Sequence, residues 1–236
     1  MPAVRPGPLV GALIQVVFLA VLAATVGLGL SGWVAGLAYG GGLGSALLWG
    51  LRRAGAAALR PADRVTMVRA ILVGGVTALV ADALADRPAP VAVLVSMSAV
   101  ALALDGVDGY VARRTGTASD MGARFDMEVD AFLIFVLSVH MVRPLGAWVL
   151  AIGTMRYAFV VAGWVRPWLR GRLPARQWRK VVAATQGIVL TVAAADVLPR
   201  PLAIAAVAMS LALLVESFGR DVLWLWMHRA AVSTRS

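Results

Sequence analysis

Leu9-Val-Gly-Ala-Leu-Ile-Gln-Val-Val-Phe-Leu-Ala-Val-Leu-Ala-Ala-Thr-Val-Gly-Leu-Gly-Leu30 carries no charged residue, and Gln15 is its one strongly polar member. A helix crossing the hydrocarbon core needs about 20 consecutive apolar residues, so this run places the chain among membrane proteins. It is long for the apolar region of a secretory signal and has no convincing cleavage site, so it reads as a retained span. Seven further runs read the same way: Trp33–Leu51, Val65–Ala85, Ala89–Arg113, Ser119–Val142, Leu145–Val165, Val181–Leu198 and Leu202–Trp226. Pro88, Pro144, Pro167, Pro174 and Pro199 mark breaks between them, positions where proline costs little. The chain is 61% hydrophobic and only 14% charged, against about 25% charged in soluble domains. The expected fold is an all-α, polytopic transmembrane helical bundle.

The net charge of +10 raises nucleic acid as a partner, but its distribution argues against one. With the N-terminus inside, eighteen basic residues fall in inner segments, and only Arg87, Arg143 and Arg200 in outer loops. That asymmetry predicts a multi-pass plasma-membrane protein with both termini cytoplasmic. Basic loops then face anionic lipid headgroups. Trp148, Trp164, Trp168, Trp224 and Trp226 cluster near span ends, as interfacial anchors do. The absence of cysteine excludes disulfides and Cys-based zinc sites, and His140 and His228 are far apart.

Six of the twelve acidic residues lie between Asp105 and Asp130: Asp105, Asp108, Asp120, Asp126, Glu128 and Asp130. Ionised carboxylates at membrane depth are costly and mark function by default. Asp105 and Asp108 are three apart and Asp126 and Asp130 four apart, so each pair shares a helix face. The two helices meet at a short inner connection, which lets the pairs confront one another. Four facing carboxylates would repel without a cation. The local arginines, Arg113, Arg114 and Arg124, are fewer than the acids, so no salt-bridge scheme accounts for the spacing. An all-oxygen donor set suits Mg²⁺ or Mn²⁺, and a two-ion site is a standard device in phosphoryl transfer. Asp120 reads as a helix cap, and Glu128 points off the Asp126–Asp130 face. Gly109, Ala112 and Gly122 keep the neighbourhood small, for close approach of a ligand or for helix packing.

The run Asp105-Gly-Val-Asp108-Gly109-Tyr-Val-Ala112-Arg113, eight residues, then Gly122-Ala-Arg-Phe-Asp126-Met-Glu-Val-Asp130 resembles the signature of the CDP-alcohol phosphotransferase family. That signature is D-x2-D-G-x2-A-R-x8-G-x3-D-x3-D, and every fixed position is met. The resemblance implies a six-helix core in residues 65–236, preceded by two extra N-terminal transmembrane helices in 1–51 and a basic cytoplasmic connector in 52–64. It implies two Mg²⁺ or Mn²⁺ ions on Asp105, Asp108, Asp126 and Asp130, with Asp130 also taking the acceptor's proton. Asp108, Gly109, Ala112, Arg113 and Gly122 would line the nucleotide site at the cytoplasmic face. Asp63 and Thr66 resemble a further family pattern, Pro-(Asn/Asp)-x-x-Thr, although Ala62 intervenes after Pro61; nucleotide contact and N-capping by Asp63 stand side by side. A homodimer is implied by resemblance alone.

The implied reaction is transfer of a phosphatidyl group from a CDP-linked lipid, with CDP-diacylglycerol leading, to a small alcohol or sugar-phosphate acceptor, releasing CMP. A soluble CDP-alcohol donor with a lipid acceptor is a variant, and a divalent-metal transporter is a rival from another class. Arg156, mid-span, is either an anion contact for the acceptor or a structural partner for an acid. The basic run from Arg166 to Lys180 is either a funnel for phosphate or orientation charge. Arg176-Gln-Trp-Arg179-Lys180 departs from the Gly-Lys-x-Lys-Thr stretch of the phosphatidylglycerophosphate branch, which weakens the case for glycerol 3-phosphate. Glu216 and Arg220 read as an i,i+4 pair.

Overall fold

The computed structural model describes residues 7–53, 61–115, 120–171, 173–174 and 177–229. Among them there is no strand, and the long helices are α1 (Gly7–Val26), α2 (Leu30–Arg53), α3 (Pro61–Leu84), α4 (Val91–Thr115) and α5 (Asp120–His140). A four-residue helix, α6 (Val142–Leu145), and a 3-10 turn (Ala147–Val149) lead into α7 (Leu150–Val165), α8 (Gln177–Ala194) and α9 (Arg200–Met227). Most of the basic connector, residues 54–60, lies outside the described residues.

Two expected breaks move, each for a backbone reason. The first apolar run does not continue to Leu30: α1 stops at Val26, and Gly27 takes φ +76°, a conformation open to glycine at no steric cost. Pro144 sits inside α6, and the chain turns instead at Gly146, whose φ is +104°. Pro199 does mark a start, immediately before α9.

The helices form two compact units, divided between Val136 and Leu137 within α5. In the first, α3 is the interior helix: Val73, Val76 and Leu79 are buried along it, with Leu19 and Leu22 of α1, Leu94 of α4 and Leu133 of α5. Lipid tails are as apolar as leucine, so apolar burial alone does little to associate helices in a bilayer; close packing and polar contacts decide it. Both are present. A Cβ on Gly32 of α2 would stand 2.9 Å from the Ala78 carbonyl oxygen of α3, so the two backbones approach as only glycine allows. Tyr39 of α2 stacks on Phe132 of α5 at 4.7 Å.

Asp82, near the end of α3, supplies the polar contact. Its buried carboxylate accepts hydrogen bonds from the Gly29 and Gly32 amides and from the Ser31 hydroxyl, each at 2.6 Å. A helix start leaves four amides without internal partners, so an acid on one helix caps another 50 residues earlier in the chain.

In the second unit, Phe159 of α7 meets Phe218 of α9 nearly edge-on, at 5.5 Å and 75°. Gln186 of α8 donates to the Ser210 carbonyl of α9 at 2.8 Å. Near one end of this pair Arg179 lies 3.6 Å from Asp221, and Trp178 donates to Glu216 at 3.1 Å. Glu216 also pairs with Arg220 one turn along α9, the i,i+4 contact expected from their spacing.

Three helical segments among the described residues are long and apolar enough to cross a bilayer: Asp63–Leu84, Ala147–Val165 and Arg200–Met227. Val10–Val26 and Val91–Val107 are shorter apolar helices. The first crossing segment is largely buried within the protein, whereas the other two present mostly outward surface. The chain is an all-helical integral membrane protein.

Candidate active site

The site grows from the first turns of α3. Asp63, Thr66 and Arg69 follow at intervals of three, which sets them along one stripe of the helix. All three are buried, and Arg69 is only 1% exposed. Asp63 lies in the first turn of α3, where its carboxylate sits at the positive end of the helix dipole.

From that stripe Arg69 reaches two neighbouring helices. Its Nε donates to the Ala101 carbonyl of α4 at 3.1 Å. Nη1 lies 3.2 Å from Asp105 Oδ1, one turn further along α4. The same nitrogen pairs with Asp126 of α5, and Nη2 pairs with Asp130. Carboxylate oxygens of Asp105, Asp126 and Asp130 consequently lie within 4.8 Å of one another. The side chains of these aspartates stay 41%, 32% and 32% exposed, so the guanidinium is sealed and the carboxylates remain open to a ligand.

This corrects one inference from the sequence. A salt-bridge scheme for Asp105, Asp126 and Asp130 does exist, and Arg69, on another helix, supplies it. In an apolar run, a lone arginine on the stripe that holds Asp63 and Thr66 was the available signal. Counting it as an orientation charge hid that signal. Asp82 was missed similarly, because nothing near it in sequence reveals the amides it caps.

The donor set fits a divalent ion. Mg²⁺ holds oxygens at about 2.1 Å in an octahedron, which puts pairs of ligating oxygens roughly 3 to 4 Å apart. The three carboxylates need only a small contraction to meet that.

The remaining expected site residues are placed as follows. Gly122 lies on α5, one turn before Asp126, and is half-buried. Asp108, Gly109, Ala112 and Arg113 belong to the last turns of α4, and their side chains, like that of Asp120, lie outside the described residues. Glu128 is exposed. Arg156 is half-buried on α7, in the second compact unit. Arg172 and Arg176, in the basic run after α7, fall outside the described residues.

An all-helical membrane protein with clustered carboxylates beside a buried arginine is of a class suited to phosphoryl or metal-ion chemistry. Residues 60–218 match the model of the CDP-alcohol phosphatidyltransferase family. That covers well over half of the 236 residues, and the chain belongs to this family. Its members are transferases of phospholipid synthesis acting on CDP-alcohols, and they typically use a divalent metal. Comparison with curated proteins and with solved structures gave no match.

Proposed function

We propose that this enzyme transfers a phosphatidyl group from CDP-diacylglycerol to a small alcohol or sugar-phosphate acceptor, releasing CMP. The observation that carries the reading is the convergence of Asp105, Asp126 and Asp130 within 4.8 Å inside the stretch that matches the family. Asp105, Asp108, Asp126 and Asp130 are the residues to hold two divalent ions. Bound there, Mg²⁺ or Mn²⁺ would neutralise the pyrophosphate and the charge that develops on departing CMP.

In the proposed step the acceptor oxygen attacks the lipid-side phosphorus of the donor. The P–O bond to CMP breaks and CMP leaves with the electron pair. Asp130 takes the acceptor's hydroxyl proton, as a general base within hydrogen-bond reach must. Asp63, Thr66, Asp108, Gly109, Ala112, Arg113 and Gly122 form the nucleotide pocket in this reading. Support comes from the burial of Asp63 and Thr66 on the stripe of α3 from which Arg69 reaches the carboxylates. Arg156 is the proposed anion contact for the acceptor.

The charge asymmetry supports a plasma-membrane enzyme with both termini and the active site on the cytoplasmic side. There soluble acceptor arrives from water and lipid donor from the bilayer. The six-helix catalytic region at 65–236, the accessory helices at 1–51, the connector at 52–64 and a homodimer complete the proposal. The test is CMP release by the purified protein from CDP-diacylglycerol and, separately, from CDP-choline, across acceptors including glycerol 3-phosphate, inositol phosphate and serine. Release from CDP-diacylglycerol with one acceptor supports the reading. Release only from CDP-choline with a lipid acceptor reverses donor and acceptor. Mn²⁺ uptake into proteoliposomes with no CMP from any donor makes it a transporter.

A further inference from the structure

We infer that Arg69 is a resident counter-cation, which keeps Asp105, Asp126 and Asp130 converged when no divalent ion is bound and so positions them for loading. The loading half of this rests on the metal-site reading above; the convergence half rests on geometry alone.

Three features of Arg69 carry it. Burial comes first: at 1% exposure it is not an interfacial orientation charge, since such charges extend to the headgroups. The second is anchorage. Nε is held by the Ala101 carbonyl at 3.1 Å, a contact to backbone that does not depend on any carboxylate. The guanidinium is therefore fixed to α4 and does not merely follow the acids. The third is the fork. Nη1 serves Asp105 on α4 and Asp126 on α5, while Nη2 serves Asp130 on α5. A planar guanidinium can span separated carboxylates in this way, and a lysine ammonium, a single point charge, cannot.

Carboxylates this close repel unless a cation lies among them. An ion that arrives and leaves with turnover would let the ends of α4 and α5 spread each time it left. A buried arginine prevents that. Each carboxylate has two oxygens and about four lone-pair sites, so pairing with a guanidinium does not by itself exclude a metal. Arg69 is accordingly a positioning residue, acting through the aspartates and not on substrate.

The test is thermal unfolding of the purified full chain in detergent, first in EDTA and then in excess Mn²⁺. Wild type, Arg69→Gln, Asp130→Asn and the double variant are compared. In EDTA, Arg69→Gln is expected to lower Tm by roughly 10 °C, because it strands carboxylates that a buried partner had balanced. Adding Asp130→Asn should recover about half of that loss, since one of the repelling charges is gone. Mn²⁺ should raise the Tm of Arg69→Gln more than that of wild type. Additive losses in the cycle, or a Mn²⁺ shift in wild type that Arg69→Gln merely equals, would mean that Arg69 is only a packing residue and would overturn the inference.

If Arg69→Gln yields no folded protein, the double variant still decides the matter: its recovery supports the inference, and its failure refutes it. Arg69→Lys, which keeps the charge and loses the fork, is expected to fall between wild type and Arg69→Gln. Absence of a Mn²⁺ shift in every protein, wild type included, would remove the metal reading, while the cycle in EDTA would still judge the counter-cation.

Discussion

Single carboxylates in this chain do two different jobs, and their partners tell them apart. Asp105, Asp126 and Asp130 converge on a guanidinium and stay partly open, whereas Asp82 is closed over by two amides and a hydroxyl. Asp126→Asn is expected to lower CMP release by at least roughly 100-fold, with excess Mn²⁺ failing to restore it, because an amide is a poorer ligand than a carboxylate for a hard cation. Asp82→Ala should instead cost about 3 kcal/mol by leaving buried amides unpaired, seen as a lower Tm. Its CMP release per folded molecule should match wild type. Asp82 is thirteen residues along α3 from Arg69, about 20 Å at helical rise, too far to touch the chemistry.

At the scale of elements, α3 joins these two jobs. Its early turns carry Asp63, Thr66 and Arg69 to the site, and its last turns hold α2 through Asp82 and through the close approach at Gly32. Gly32→Ala would drive a Cβ against the Ala78 carbonyl of α3, a backbone atom that cannot rotate away. Destabilisation of about 1–3 kcal/mol is expected, read as a fall in Tm that Ala at the unhindered Gly41 does not cause. Apolar runs made the long helices legible because lipid-facing and buried surfaces are both apolar, which leaves long uninterrupted stretches. Their ends were less legible: Gly27 and Gly146 act through backbone φ, which composition does not encode, while Pro144 was accommodated inside a helix. Of the site, the aspartates were readable because their fixed spacing lies within 26 residues. Arg69 and Asp82 were not, since each is defined by partners 32 to 61 residues distant.

For the whole molecule, the proposed orientation rests on where the basic residues fall, and the cysteine-free sequence makes it simple to test. Val197, 72% exposed in the turn between α8 and α9, replaced by cysteine should react with a membrane-impermeant maleimide on intact cells. Ser236→Cys should react only after the cells are opened. The opposite pattern would invert the topology and move the proposed site to the outer face. The proposal that matters most is that the converged carboxylates carry out transfer from a CDP-linked lipid. Its most direct measurement is release of labelled CMP from CDP-diacylglycerol by the purified protein in Mn²⁺, comparing wild type with Asp130→Asn across the acceptor panel. Acceptor-dependent release by wild type, lost on chelation and nearly abolished in Asp130→Asn, is the expected result. Undiminished release by Asp130→Asn, or by wild type in EDTA, would contradict it.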